Sequence, residues 1–213
     1  MGITLIYGVT GSFDIYEIQV SIINHISTPI LITGIMFLVI AMLFKASVAP
    51  FHFWAPDVYT GSPTLVTAFM STVAKVAAFA AIYKLFSVLF ISKMVEIEPI
   101  IVMFIILTFI IANFSALKQT SVKRILAFSG VSHAGFLLLA VVSSNYESAG
   151  NLFYYAAAYT IANVIAFTVV IYVSHVKEND HLDSFKGLLY ARPSLAIAMI
   201  ISLFSLAGIP PLA

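Results

Sequence analysis

The sequence predicts an all-α, polytopic bundle of transmembrane helices, some of them discontinuous, and its composition is the first reason. Of its 213 residues 62% are hydrophobic and 9% are charged, and the mean hydropathy is +1.08. A soluble domain carries about 25% charged residues, so this chain has too little polar side chain to cover a surface in water. Disorder is excluded as well, because disordered chains are poor in apolar residues and rich in charge. At about 20 residues per span, the length allows about six transmembrane helices.

Two short segments precede the first full span. Residues 1–10 are apolar and are followed by Gly11 and Ser12, so they are predicted as the end of a helix. Residues 12–27 mix acidic residues with Ile and Val, and we predict that they form a connection at the membrane interface. The first complete crossing is therefore expected to start near residue 29.

This first crossing is predicted to be broken. Residues 29–44 carry no charge, but as a helix they are about 24 Å long, short of a hydrocarbon core of about 30 Å. The chain stays apolar beyond Lys45 as far as Trp54, with prolines that interrupt a helix. We predict one discontinuous span over about 29–61, whose break faces protein or a water-filled cavity, because exposed backbone is tolerated only there. The residues assigned to the break and to capping its second helix are Pro50, His52, Pro56 and Asp57.

Five further apolar stretches predict the remaining spans. Two carry no charge, one contains two lysines, and one contains a histidine between two glycines. The last is interrupted at Gly208, Pro210 and Pro211, and is predicted to be incomplete. These spans are placed at about 64–91, 99–117, 125–143, 152–174 and 193–213.

The loops predict the orientation of the bundle. The loops after 99–117 and after 152–174 fall on the same face, and each carries three basic residues. The positive-inside rule places that face in the cytoplasm. The six basic residues are Lys118, Lys123, Arg124, Lys177, Lys186 and Arg192.

Several function classes are excluded by what the sequence lacks. A net charge of +1 creates no overall field that would attract nucleic acid. The chain has no cysteine, which excludes disulfides, thiolate metal sites and iron–sulfur ligation. It has no glycine-rich phosphate loop after a strand and no haem-attachment motif. We therefore predict no cofactor and no bound metal in this chain.

The informative residues are ionisable groups inside the predicted spans, and Lys75 is the clearest. It lies near the middle of the span at 64–91, too far from the ends for its stem to reach the interface. A structural ion pair is one interpretation, and a functional charge in the bundle interior is favoured over it. Lys84 either extends to the interface or joins Lys75 in a proton path, about 13.5 Å along the same helix.

Lys45 and His133 complete the candidate set. Lys45 either ends its span at the interface or lies within the membrane beside the helix break, and position alone does not separate the two. His133 can relay protons through its two ring nitrogens, or it can make a structural hydrogen bond. The proton-path hypothesis joins Lys45, Lys75 and His133 at mid-membrane depth, with Lys84 as a further member.

Three separated segments, in this order, resemble the antiporter-like membrane subunits of NADH-quinone oxidoreductase, respiratory complex I. The form Ala55-Pro56-Asp57-Val58-Tyr59 is similar to the subunit N branch rather than to the L and M branches. The resemblance extends over essentially the whole chain. The three segments are residues 44–64, 118–135 and 205–213.

The resemblance implies a proton-translocating subunit of a bacterial inner membrane that works with other membrane subunits of complex I. NADH, FMN, iron–sulfur clusters and quinone would be handled by those partners, without NADH binding here. Lys45, Lys75 and His133 match the family's seventh, eighth and tenth helices, which carry its proton path. The family's glutamate and its second membrane lysine have no counterpart in residues 1–213, so the chain is expected to be the middle part of a longer subunit and not to pump by itself.

The residues leave other functions open. The same ion path would serve a subunit of a multisubunit cation/proton antiporter, or a ferredoxin- or plastoquinone-linked relative of complex I. An inert membrane scaffold is disfavoured, because a scaffold does not need Lys75 in mid-bilayer.

Overall fold

The computed structural model describes residues 1–25, 28–89, 94–143 and 148–209, and for residues 24, 25 and 94–97 it describes the backbone alone. These residues form helices and no β-strand, which confirms the predicted all-α class. The structure also contains a π-helical turn (Met70–Ala74) and a short 3-10 helix (Leu182–Phe185). The α-helices are α1 (Gly2–Thr10), α2 (Ile15–His25), α3 (Pro29–Lys45), α4 (Trp54–Gly61), α5 (Thr64–Phe69), α6 (Lys75–Leu89), α7 (Met94–Ala116), α8 (Val122–Val142), α9 (Ser148–Lys177), α10 (Leu188–Ala191) and α11 (Pro193–Leu206).

The segment 12–27, predicted as a connection, contains helix α2, which packs against α6. Asp14 starts the helix, because its carboxylate accepts the backbone N–H of Tyr16 at 2.8 Å. The acidic residues made this segment look interfacial, whereas the spacing of its apolar residues is helical. Three isoleucines on that spacing pack against the main hydrophobic core, namely Ile15, Ile18 and Ile22.

The predicted break separates α3 from α4. Ser47 in the break has a φ of 60°, a left-handed conformation that non-glycine residues seldom adopt, and the Ala49–Pro50 peptide bond is cis. The amide of Ala49 donates to the Thr108 hydroxyl of α7 at 3.0 Å, which ties the break to the bundle. Pro56 lies in the first turn of α4 rather than in the break, a position where a helix makes no use of the missing N–H.

The remaining residues assigned to helix breaks lie elsewhere. Asp57 is in the first turn of α4. Gly208 follows α11 with a φ of 72°, which glycine adopts without steric cost. Pro210 and Pro211 lie outside the described residues.

Four of the described helical segments are long and apolar enough to cross a membrane, and α3 and α11 are shorter apolar helices. Helix α9 extends beyond the predicted 152–174 at both ends. The prediction was based on an apolar run, whereas a helix can continue through polar residues in its terminal turns. Helix α7 likewise begins ahead of Pro99. The four segments are Thr64–Leu89, Glu98–Ala116, Val122–Val142 and Ser148–Lys177.

Helix α8 lies at the centre of the bundle, where it packs against α4, α6, α7 and α9. Its contact with α7 is close, because a Cβ added at Gly135 would lie 2.8 Å from the Phe109 ring. Small residues allow helix backbones to approach in this way within a membrane. Four helices thus pack against α8 along its length.

The two basic loops lie side by side. The amide of Val122 donates to the carbonyl oxygen of Asp180, and the amide of Leu182 donates to that of Thr120, both at 2.9 Å. The Ser121 hydroxyl also donates to the Asp180 carboxylate. These bonds hold the start of α8 beside the end of α9, as expected of two loops on one face of a membrane.

Candidate functional site

Lys75 is buried at the point where the π-helical turn gives way to α6. Its side chain is 3% exposed, although it lies in an apolar bundle. Its ammonium donates to the carbonyl oxygen of Gly130 in α8 at 2.5 Å. The helix that carries Lys75 is not a regular α-helix, since π-turns add one residue to a helical turn and often occur at functional sites. A cation is thereby presented to the centre of the bundle.

A column of buried polar side chains leads to Lys75 along its own helix. Thr67, Ser71 and Lys75 recur every fourth residue, and Thr72 is buried beside them. The Thr67 hydroxyl donates to the carbonyl oxygen of Tyr59 in α4 at 2.9 Å. This column connects the short helix that follows the break to the buried cation.

Gly130 makes room for two polar groups at once. A Cβ at this position would lie 3.1 Å from the Lys75 ammonium and 3.1 Å from the Tyr159 hydroxyl. The two groups therefore lie close together, within about twice that distance of each other. The Tyr159 hydroxyl donates to the carbonyl oxygen of Ser71 in the π-turn at 3.0 Å. Tyr159, on α9, thus joins the π-turn to α8.

His133 lies one turn further along α8 and is 8% exposed. Its Nδ1 and the Tyr155 hydroxyl are 2.6 Å apart, and either group can donate, depending on the imidazole tautomer. Its ring centroid is 5.0 Å from that of Tyr159. His133 therefore continues the group that begins at Lys75.

A cavity of about 170 Å³ lies beside His133. Its walls come from α8, α9 and the C-terminal end of α11, and they include Tyr155, Tyr159, Ser205 and Gly208. The imidazole–tyrosine pair thus faces this cavity at the end of α11.

The structure brings two of the four predicted proton-path residues together. Lys75 and His133 share the cluster through Tyr159, whereas Lys45 at the end of α3 and Lys84 in α6 have exposed side chains. The expected thread from Lys45 to Lys75 is therefore not a continuous buried contact within the described part of the chain. All four residues were selected because they are ionisable. Only the packing of the helices shows that Lys75 and His133 are buried and that the two other lysines are exposed.

The break carries unusual polar groups. Ser47 Oγ and His52 Nδ1 are buried and have no hydrogen-bond partner among the described residues. A buried polar atom without a partner costs about 1–3 kcal/mol. Asp57, in contrast, is exposed and forms a 2.9 Å ion pair with Arg124 at the start of α8. His52 thus carries an unpaired buried nitrogen in the break, whereas Asp57 belongs to a surface contact.

Sequence reasoning missed Ser71, Tyr155 and Tyr159. The two tyrosines are four residues apart and therefore share one face of α9, and the same spacing relates Ser71 to Lys75. The spacing of Ser71 from Lys75 could therefore have identified Ser71 from the sequence. Within the part of the chain that the structure describes, no group of three His, Cys, Asp or Glu side chains could hold a metal ion.

The sequence matches a family model over residues 1–213, described as NADH:quinone oxidoreductase/Mrp antiporter, transmembrane. NADH-quinone oxidoreductase subunit N of Flavobacterium psychrophilum is 48% identical over 211 residues, which cover 99% of this chain and 46% of the relative. Subunit N of Cytophaga hutchinsonii is 45% identical over 213 residues, which cover 100% and 46%. The chain spans about half the length of the curated relatives it matches.

Two solved structures share the fold. A chain of the Mrp complex from Dietzia sp. gives a TM-score of 0.87 at 29% identity, with 99% of this chain and 39% of that chain covered. A chain of respiratory complex I from Thermus thermophilus with bound aureothin gives 0.74 at 31% identity, with 99% and 44% covered. The predicted resemblance to subunit N is confirmed by the curated relatives. The chain belongs to the NADH:quinone oxidoreductase/Mrp antiporter family of transmembrane proteins.

Proposed function

We propose that this chain is part of a proton-translocating membrane subunit of NADH-quinone oxidoreductase in the bacterial inner membrane, with Lys75 as its central proton carrier. The observation that carries the proposal is the state of Lys75. Its ammonium is buried in mid-helix, and among the described residues it makes no ion pair. Ionisable residues inside membrane spans are costly and mark ion and proton pathways, and the neutral Gly130 carbonyl that holds this ammonium leaves it free to exchange its proton, which supports a functional role.

The surroundings of Lys75 suit reversible protonation. The Gly130 carbonyl accepts from the ammonium but carries no full charge that would hold it permanently protonated. The hydroxyl of Tyr159 lies nearby, and the pair of His133 and Tyr155 follows. Hydroxyl and imidazole groups both accept and donate protons. We infer that protons pass between Lys75 and the cavity at the end of α11 by way of His133 and Tyr155.

Lys45 and Lys84 have different places in this proposal. Lys45 stands at the end of α3, directly before the strained break, and we assign it as the residue that exchanges protons with Lys75. Lys84 is exposed on α6 and is assigned a minor role at most. Both assignments follow from the positions of the two lysines on their helices. Separate mutation of Lys45 and Lys84 tests each assigned role.

Redox chemistry is assigned to partner subunits. NADH, FMN, iron–sulfur clusters and quinone would bind there, and the membrane subunits of complex I would be the neighbours of this chain. The support is the name shared by the curated relatives, NADH-quinone oxidoreductase subunit N. The electron-transfer energy would then reach Lys75 through the protein rather than through a cofactor bound to this chain.

The test is Lys75→Ala in the full-length subunit, assembled in the complex and assayed in membrane vesicles. We expect NADH-driven proton pumping to fall to near background, with NADH oxidation falling too, because a coupled machine stalls when one step is blocked. Lys45→Ala is expected to lower both activities together. Lys84→Ala is the matched control and is expected to retain most of the pumping. Normal pumping by Lys75→Ala would contradict the proposal.

A subunit of a multisubunit cation/proton antiporter is the second candidate. The fold match to the Mrp complex has a higher TM-score than the match to complex I, 0.87 against 0.74, whereas the curated sequence relatives favour NADH-quinone oxidoreductase. Vesicles distinguish the two functions. An antiporter would exchange protons for cations under an imposed gradient without NADH, and the oxidoreductase would acidify vesicles only when NADH is supplied.

A further inference from the structure

A cavity with a basic lining lies where α9 ends and α11 begins. Its volume is about 230 Å³, and its walls are the last turns of α9, the segment before α10, and α10 itself. Three basic side chains line it, from different parts of the chain: Lys177, Lys186 and Arg192. Three like charges around one cavity repel each other unless an anion lies among them.

The charges of this cavity are only partly compensated. The Lys186 ammonium pairs with the Asp183 carboxylate at 2.6 Å. The hydrogen bond from Lys186 and its positive charge lower the pKa of Asp183, so that carboxylate stays ionised at neutral pH. Lys177 and Arg192 make no ion pair among the described residues, and no acidic residue is among the lining side chains described. Two of the three cations therefore remain available to a ligand.

The cavity combines this charge with an apolar wall. Val173, Val176 and Leu188 line it on the side of the helices. Helix α9 carries no Asp, Glu, Lys or Arg before Lys177, and α11 carries none after Arg192. The cavity therefore lies where two membrane helices leave the apolar region. Its rim carries the basic side chains, and its base is formed by apolar side chains.

Location and charge together point to one ligand class. The rim belongs to the face that the basic loops assign to the cytoplasm. Anionic lipids give the cytoplasmic leaflet its negative surface potential, and basic pockets between membrane helices on this side bind lipid head groups. We propose that this cavity binds the phosphate head group of an anionic phospholipid such as phosphatidylglycerol, with an acyl chain along the exposed side chain of Val176. Nothing in this proposal depends on proton transfer by Lys75.

A second groove of the same molecule provides a contrast. It has a volume of about 530 Å³ and runs between α5 and α9. The described residues that line it include Leu65, Phe69 and Val164, and none of them is charged. Lipid tails would occupy such a groove without regard to the head group, so a preference for anionic lipid should be confined to the basic cavity.

The experiment measures lipid binding by the full-length subunit, purified in detergent and stripped of lipid. Native mass spectrometry would follow the binding of phosphatidylglycerol and of phosphatidylcholine. Each charge removed from the rim is expected to weaken phosphatidylglycerol binding about fivefold, so the double variant Lys177→Gln/Arg192→Gln should show a loss of about 25-fold. Lys118→Gln removes an exposed charge from the neighbouring loop outside the cavity and should bind like the unmodified protein.

Location and folding are tested with three further variants. Lys177→Arg/Arg192→Lys keeps both charges and is expected to bind phosphatidylglycerol normally. A photo-crosslinking amino acid at Leu188 should capture phosphatidylglycerol in preference to phosphatidylcholine, whereas the same group at Leu65 in the uncharged groove should capture both equally.

Four results would overturn the proposal. The first is equal binding by the double variant and Lys118→Gln, and the second is equal binding of the two lipids to the unmodified protein. The third is loss of binding in the charge-conserving variant, which would mean that charge is not the cause. The fourth is binding of inorganic phosphate at millimolar concentration with displacement of the lipid, which would assign the cavity to free phosphate instead.

Discussion

The ammonium of Lys75 lies 2.5 Å from the carbonyl oxygen of Gly130, and this contact joins the π-helical turn to the centre of α8. It exists because position 130 has no side chain. The Lys75 ammonium and the Tyr159 hydroxyl both occupy the space that a Cβ would need. The small size of Gly130 thus determines where the Lys75 ammonium can lie in this bundle.

Gly130→Ala is expected to displace Lys75 and Tyr159, since the new methyl group would lie 3.1 Å from both polar atoms. We expect proton pumping by the full-length subunit to fall at least tenfold while assembly into the complex is retained. Gly150→Ala is the control, because a Cβ there meets nothing within 4 Å. Equal pumping by the two variants would show that the contact is unimportant.

Tyr155→Phe removes the hydroxyl that lies 2.6 Å from the His133 imidazole. If this pair carries protons toward the cavity, pumping should fall several-fold and the pH profile of NADH-driven pumping should change. Tyr154→Phe changes the neighbouring tyrosine, which is 69% exposed and lacks this hydrogen bond, so it should have little effect. A pH profile unchanged in Tyr155→Phe would remove His133 from the path.

Thr108→Val tests the attachment of the helix break to the bundle. The variant leaves the buried amide of Ala49 without its acceptor, at an expected cost of about 1–3 kcal/mol in the free energy of unfolding. Thr168→Val removes a hydroxyl that donates only within its own helix, and a change below about 0.5 kcal/mol is expected. Chemical unfolding in detergent provides the measurement, and similar losses in the two variants would contradict the assignment.

Asp57→Asn tests how much the ion pair with Arg124 contributes. Both side chains are partly exposed, at 71% and 36% respectively, and exposed ion pairs contribute about 0–1 kcal/mol. A small loss of stability is therefore expected, and it should shrink as salt is added. A loss above about 2 kcal/mol would mean that the pair holds α4 against α8 more strongly than its exposure implies.

Composition and apolar runs were sufficient to predict an all-α fold of apolar helices, because a chain surrounded by lipid must be rich in apolar residues and poor in charge. The broken helix could also be predicted, since Pro50 leaves a direct mark on backbone hydrogen bonding. Helix α2 was missed because its acidic residues outweighed the periodic isoleucines that pack inward.

The candidate site was predicted only in part. Lys75 and His133 were recognisable because ionisable residues are rare in such spans, but the same criterion also selected Lys84, which is exposed. Whether a helix position faces the interior depends on the packing of α8 against its neighbours. The π-turn leaves no composition signal at all, so the link from Ser71 to Tyr159 required the structure.

The π-turn makes the residue count of its helix a constraint in its own right. A π-turn already takes up one extra residue, so deleting one residue between Met70 and Ala74 would let this stretch close as a regular α-helix. Thr67 and Lys75 would keep the face they share, and the turn that presents the Ser71 carbonyl to Tyr159 would be lost. A residue in an α-helix advances the chain by about 100°, so an inserted residue would instead rotate Thr67 away from Lys75. Insertions in this short stretch are therefore expected to be more damaging than single deletions, which makes chain length here a character to compare among relatives.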